Sequence, residues 1–424
     1  MVADFRYRDY IYDWNSAKKV APLTNKKIEL HDETLRDGIQ GPSVFDPPIE
    51  QKIELLHLME ELAIDTLDVG LPGAGPWPYK DSLALCKEIV RSSLHVRPTC
   101  AARTVREDIE KVIEVSQQAG IAVELMAFIG SSPIRQYAEE WDLDGMLRAT
   151  EMAVQLGVEN NLPVTYVTED TTRSRPETLD RLFRLAIEFG ASRLCLCDTV
   201  GHATPDGIHN LIDFTLAVIQ GLGAHHVKVD WHGHNDRGLG VINSLYAIEF
   251  GVDRVHATAL GVGERVGNAA MELILANLKL LNEIHRDLSQ LQNYCSKASE
   301  ILKFPVAIDY PFAGRDAFRT GTGVHAAAII KALDKGDAYM ADRIYSGVPA
   351  GMFGREQMIE IGHMSGESNV VFWLTKRGIG ADPELVRALL AKAKDADHLL
   401  TEEEVFSILE ELRPGITSQS SVEE

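Results

Sequence analysis

Two short polar motifs, far apart in the chain, hold residue types that together suit one divalent cation. HDETLRDG occupies residues 31–38 and HGHND occupies residues 232–236. His232 and His234 are spaced i, i+2, so on an extended strand both imidazoles project from one face. With the Asp37 carboxylate they make a two-histidine, one-carboxylate ligand set, which leaves positions open for substrate oxygens and water. Arg36, beside Asp37, carries a guanidinium that stays charged at every working pH and suits an enolate or alkoxide oxygen. A third stretch, GVGERVGN at 261–268, is glycine-rich and ends in Asn268. As a phosphate motif a lone GxG is weak, and its weight comes from its position after a strand.

These motifs can meet only if the fold brings strand ends together. Short apolar runs occur at 28–34, 66–72, 97–102, 123–129, 163–169, 193–199, 227–234 and 254–261. Segments with helical periodicity and helix-start signals, such as Thr204-Pro205-Asp206, separate them. Strands alternating with helices in this way predict an α/β fold, a TIM (β/α)8 barrel with its active site at the C-terminal strand ends. An open doubly wound sheet shows the same alternation, but it normally stops earlier and does not return chemistry at both the first and the seventh strands. The expected layout is an aromatic-rich N-terminal arm at 1–27, the catalytic barrel at 28–286, a small, mostly helical C-terminal region at 287–414 and a disordered polar tail at 415–424. Helical segments of the C-terminal region are expected at 288–303, 323–333, 355–361, 383–394 and 401–412.

Composition bounds the function. Of 424 residues, 45% are hydrophobic and 25% charged, enough for a large core. The net charge of -21 argues against nucleic-acid or anionic-membrane partners, because no broad phosphate-neutralising face is available. No run approaches the ~18 apolar residues of a membrane span, and no signal segment is evident, so a soluble, cytoplasmic protein is expected. The cysteines (Cys86, Cys100, Cys195, Cys197, Cys295) form no paired CxxC spacing, which fits reduced thiols. Cys195 and Cys197 share one strand face and read as small core residues.

In their order along the chain, HDETLRDGIQ (31–40), LDVGLPGAG (67–75), TEDTTRS (168–174), CDTVGHATP (197–205), HGHNDRGLG (232–240) and GVGERVGNAAME (261–272) resemble a known family. It is the metal-dependent, acyl-CoA condensing TIM-barrel family of 2-isopropylmalate, homocitrate and citramalate synthases, and the resemblance spans about residues 28 to 375. It implies a Claisen-type condensation of acetyl-CoA with a 2-oxo acid to a 2-substituted malate plus CoA. That is an acyltransferase reaction converting the acyl group to alkyl on transfer, of the kind used in amino-acid biosynthesis. The implied cofactor is one divalent ion, Mn²⁺, Mg²⁺ or Zn²⁺, on Asp37, His232 and His234, with Asn268 as a further ligand or close neighbour. Arg36 would be the catalytic arginine. Thr199 and Arg103 would hold the 2-oxo acid carboxylate, with Gln40 bordering the same pocket. A helical subdomain of a neighbouring subunit would bring His325 and a tyrosine, Tyr345 or its rival Tyr339, over the barrel mouth. Glu169 would then orient or share protons with His325. The resemblance therefore implies a homodimer with shared active sites.

The alternatives are a homocitrate, citramalate or arylmalate synthase, or a cleavage enzyme like 3-hydroxy-3-methylglutaryl-CoA lyase. Such lyases carry a reactive cysteine in the loop that here reads GVGERVGN. Three departures bear on substrate choice: Asp68 replaces the usual glutamate, Arg135 in SSPIRQY replaces a histidine, and HAAAI replaces the more polar stretch that follows the base in typical isopropylmalate synthases. Leu71 and Pro72 suggest an apolar pocket, which disfavours 2-oxoglutarate, whose buried distal carboxylate would need a partner. The sequence stops before the regulatory domain of feedback-inhibited relatives, so no strong end-product inhibition at a dedicated site is expected.

Overall fold

A computed structural model describes residues 27–415 together with Tyr10, Tyr12 and Trp14. The expected arm and tail otherwise lie outside the described residues. Strands β1 (Glu29–Asp32), β2 (Thr66–Asp68), β3 (Arg97–Arg103), β4 (Glu124–Gly130), β5 (Val164–Glu169), β6 (Arg193–Asp198), β7 (Lys228–Gly233) and β8 (Arg254–Ala257) pair in sequence order. They close into a parallel barrel, with His31 of β1 in register with His256 of β8. The fold is the expected TIM barrel.

Each strand is buried on both faces, as a parallel sheet under helices requires. Leu30, Leu67, Leu125, Leu194, Val229 and Val255 are fully buried. The surrounding helices bury one stripe each: in Pro176–Glu188 the stripe is Leu179, Leu182, Phe183 and Ala186, a 3.6-residue period, and Pro176 stands in the first turn, where its missing N–H costs nothing. Helix Arg106–Ala119 stops at Gly120, whose φ of 71° is the left-handed conformation that glycine adopts without strain.

The alternate strand positions meet inside the barrel, and the layer at its base is polar. Arg254 is fully buried, donating from Nη1 to Glu124 Oε2 (3.0 Å) and from Nε to Asp230 Oδ2 (2.8 Å). Arg193 Nη1 donates to Asp230 Oδ1 at 2.7 Å and also pairs with Glu29. Burial pushes the Glu124 carboxyl up, but the Arg254 charge together with the hydrogen bonds from Arg254 and Thr165 outweighs it and holds the group at about 2, below its ordinary 4.5. A depressed acid contributes stability that is present above its unfolded value and is lost as pH falls through the folded one. The melting temperature should therefore drop as pH falls from 4.5 toward 2. Glu124→Gln should lose roughly 3–5 kcal/mol at neutral pH, because it leaves Arg254 under-compensated, and should show a shallower acid limb. Calorimetry across that range checks this, and an unchanged acid limb in the variant would assign the loss elsewhere.

Among the described residues, 27–286 with Lys297–Phe304 form one compact unit, and Asp287–Ser296 with 305–415 forms another. The second contains helices Gly323–Asp334, Glu367–Lys376, Pro383–Lys394 and Glu402–Leu412. One apolar core gathers Trp373, Leu374, Leu389 and Leu409, and a smaller one gathers Ala326, Ile329 and Ile359. The helix expected at 355–361 is corrected: Met358–Ile359 is a strand, paired in parallel with Arg319–Thr320. Buried Ile359 and Ile361 alternate with exposed Met358 and half-buried Glu360, a period of two between Gly354 and Gly362. Helix Glu367–Lys376 was not expected, since Val370, Val371, Phe372 and Trp373 are strand-forming types. Among the described residues no helix is long and apolar enough to cross a membrane.

Candidate active site

Directly after β1 the chain turns tightly, with the Arg36 and Gly38 amides both donating to the Glu33 carbonyl (3.1 and 3.0 Å). That turn carries Arg36 and Asp37 to the barrel mouth. At the end of β7, His232 and His234 face the same opening, and one ligand atom from each of Asp37, His232 and His234 lies within 4.8 Å of the others. The loop after β8 completes the group. Gly263 (φ 152°) and Gly267 (φ 92°) let it fold back so closely that a Cβ on Gly263 would stand 2.2 Å from the Asn268 amide nitrogen. Asn268 Nδ2 donates to Asp37 Oδ2 (2.6 Å) and to the Val262 carbonyl (3.1 Å).

Both contacts require the NH₂ end of Asn268, which leaves its Oδ1 buried without a protein partner, as is His234 Nδ1. Such orphaned buried polar atoms are costly unless something satisfies them. Burial would raise Asp37, but the Arg36 charge together with the neighbouring histidines outweighs it and keeps the group ionised. Burial and the adjacent His232 depress His234 to about 4, leaving its ring neutral. A neutral imidazole, an ionised carboxylate and an unpartnered amide oxygen are the donor types a divalent cation takes, so these residues fit one.

Arg36 is fixed on three carboxylates: Nε on Asp68 (2.9 Å), Nη1 on Asp37 (2.8 Å) and Nη2 on Glu33 (2.9 Å). Each terminal nitrogen keeps a second N–H. Burial raises Asp68 to about 6, and the Arg36 charge only partly offsets this.

Arg36, Asp37, Gln40, Glu169, Thr199, His232 and His234 line one cleft of about 270 Å³. Leu71, Ala101, Met126, Phe128 and Val167 supply its apolar wall, and Cys195 and Cys197, buried free thiols, also border it. Pro72 is not in the lining. Arg103 departs from the expected set as well. Its guanidinium is mostly exposed and forked onto Asp108 at 2.7 and 2.8 Å, a local pairing five residues away that takes it out of the cleft. Glu169 contacts Arg135 Nε at 3.1 Å, and burial raises its carboxyl while Arg135 pulls the other way. Thr199 Oγ1 accepts the Asp170 amide at 2.8 Å.

In the second unit, His325 and Tyr345 are both exposed and their rings stack, with centroids 3.9 Å apart. Tyr339 lies instead under the Arg343 guanidinium at 3.5 Å. Sequence reasoning missed Glu33 and His256, which also line the cleft. The available signal was Glu33 itself, a carboxylate closing an apolar strand and so needing a buried partner.

The model of the HMGL-like family matches residues 27–298. The homocitrate synthase AksA of Methanocaldococcus jannaschii is 30% identical over 417 residues, covering 96% of this chain and 97% of that protein. A probable 2-isopropylmalate synthase of Ignicoccus hospitalis is 28% identical over 393 residues, with 91% and 92% covered. Among solved structures, the HMG-CoA lyase of Bacillus subtilis superposes with a TM-score of 0.54 at 21% identity, over 69% of this chain and 97% of that one, a likeness of fold. A family match over most of the barrel, and a near full-length relative, agree with the cluster at the barrel mouth: the chain belongs to the HMGL-like family.

Proposed function

We propose that the protein condenses acetyl-CoA with a 2-oxo acid of apolar side chain, as a 2-isopropylmalate synthase does. The observation that carries the reading is Arg36, locked on three carboxylates beside the Asp37, His232 and His234 cluster. A divalent ion held there, Mn²⁺, Mg²⁺ or Zn²⁺, would supply Lewis-acid polarisation of the oxo group. Thr199 already accepts an amide, so its O–H is left to donate to the substrate carboxylate. The unused N–H groups of Arg36 meet the oxyanion that forms as the enolate carbon bonds to the oxo carbon. His325, with Tyr345 stacked against it, is the proposed base for the acetyl methyl proton. Glu169 orients it or shares that proton. Following the family resemblance, His325 and Tyr345 serve the barrel of a second copy of the chain in a homodimer. Hydrolysis of the thioester releases CoA and makes the sequence irreversible.

The apolar wall supports an acceptor such as 3-methyl-2-oxobutanoate, pyruvate or phenylpyruvate. A second reading, 2-oxoglutarate, is favoured by the identity to homocitrate synthases and by Arg135 beside Glu169. CoA release measured against these four acids separates them. The apolar acceptors should exceed 2-oxoglutarate in kcat/KM by at least about tenfold, since a buried unpaired carboxylate is costly. The reverse order would establish the second reading.

A further inference from the structure

Below the proposed cation cluster, a second group of potential ligands, His31, Glu33 and His256, is fully buried and lies within 4.8 Å of one another. Its donors are already committed. Glu33 Oε1 faces Arg36 Nη2 (2.9 Å) and His256 Nδ1 (3.1 Å), and a cation on that oxygen would have to displace Arg36. His31 Nδ1 is engaged by Thr66 Oγ1 at 2.8 Å. The other oxygen, Glu33 Oε2, has no aligned donor, yet it lies 2.8 Å from His232 Nδ1. The His232 N–H is therefore the group that must serve a buried carboxylate oxygen. On the far side, His256 Nε2 stands 3.3 Å from Asp230 Oδ2, and Asp230 is anchored by Arg254 and Arg193.

We propose that Glu33 is a positioning residue for His232, itself held in place by His256 and Asp230. The column Arg254, Asp230, His256, Glu33 runs up the barrel axis from a rigid ionic base to one histidine of the cation cluster. Glu33 holds that ring by its Nδ1 edge, which fixes the tautomer and presents Nε2 to the opening. Histidine ligands commonly need such a carboxylate behind them, and losing it typically weakens metal binding about 10- to 100-fold. The proposal rests on the reading of Asp37, His232 and His234 as ligands, and its test keeps the two apart.

The test uses full-length protein stripped of metal, with Co²⁺ as the probe, its affinity measured by chelator competition and its geometry by visible absorption. The unaltered chain should bind one Co²⁺. Glu33→Gln should bind one Co²⁺ about 10- to 100-fold more weakly, with a changed visible band. His256→Gln should shift both readouts in the same direction. The double variant should be no weaker than Glu33→Gln, because both act through one contact. Melting temperatures of the metal-free proteins are measured alongside. A merely structural role would lower those and leave affinity and spectrum unchanged, and that result overturns the proposal. So would two Co²⁺ per chain falling to one in Glu33→Gln, which would make the second cluster a metal site. If His232→Ala/His234→Ala binds Co²⁺ as tightly as the unaltered chain, the ligand reading has failed and the proposal falls with it. Should Glu33→Gln not fold, His256→Gln carries the same comparison.

Discussion

Replacing His232 and His234 together by alanine should abolish turnover, and chelation of the unaltered protein should do the same until a divalent ion is restored. The expected size follows from the role assigned to the cluster. Lewis-acid polarisation of a carbonyl contributes several kcal/mol of transition-state charge stabilisation. At about 1.36 kcal/mol per decade that is on the order of a thousandfold, and more once substrate binding through the ion is lost too. His232 lies on β7 and His234 directly after it, and removing His232 also takes the partner from buried Glu33 Oε2, so the variant should melt lower than the unaltered protein, still cooperatively, while losing CoA release. Full CoA release from either the chelated protein or the double variant would remove the metal from the account.

The second large effect concerns sharing of sites between copies. Asp37→Ala and His325→Ala should each be nearly inactive alone, since one lacks the cation cluster and the other the proposed base. If His325 serves the partner's barrel, a mixed dimer has one site that joins an intact barrel to an intact His325. Co-refolding equal amounts should then restore up to about a quarter of the unaltered activity, because about half of the dimers are mixed and each has one working site of two. The exposure of both His325 and Tyr345, and their stacking on one another, supports a pair available to a second chain. Heterodimers no more active than the single variants would place His325 in its own barrel or outside catalysis.

Legibility in the sequence followed physical contrast. Asp37, His232 and His234 stood out because polar ligand types at the ends of apolar runs are anomalous, and the βα alternation said which ends would meet. The polar barrel interior was harder to see. Glu29, His31 and Glu33, Asp230 and His232, and Arg254 and His256 each alternate along a strand, but which of them meet depends on register across the closed barrel, as in His31↔His256. The pairing of Arg103 with Asp108 is a local contact that a motif position does not reveal. In the second unit, short strands such as Met358–Ile359 carry too few residues for their period to declare itself. Which of Tyr345 and Tyr339 lies against His325 was not legible in the sequence, and in the structure it is Tyr345 that stacks on it.

The measurement closest to the central claim is product analysis with acetyl-CoA labelled with ¹³C in the methyl group, in the presence of Mn²⁺ and the best acceptor from the panel. Condensation predicts free CoA and one new acid whose mass is that of the oxo acid plus acetic acid, with the label in the methylene carbon bonded to the former oxo carbon. Labelled acetate beside unchanged oxo acid, or activity only in cleaving a 3-hydroxyacyl thioester, would contradict it.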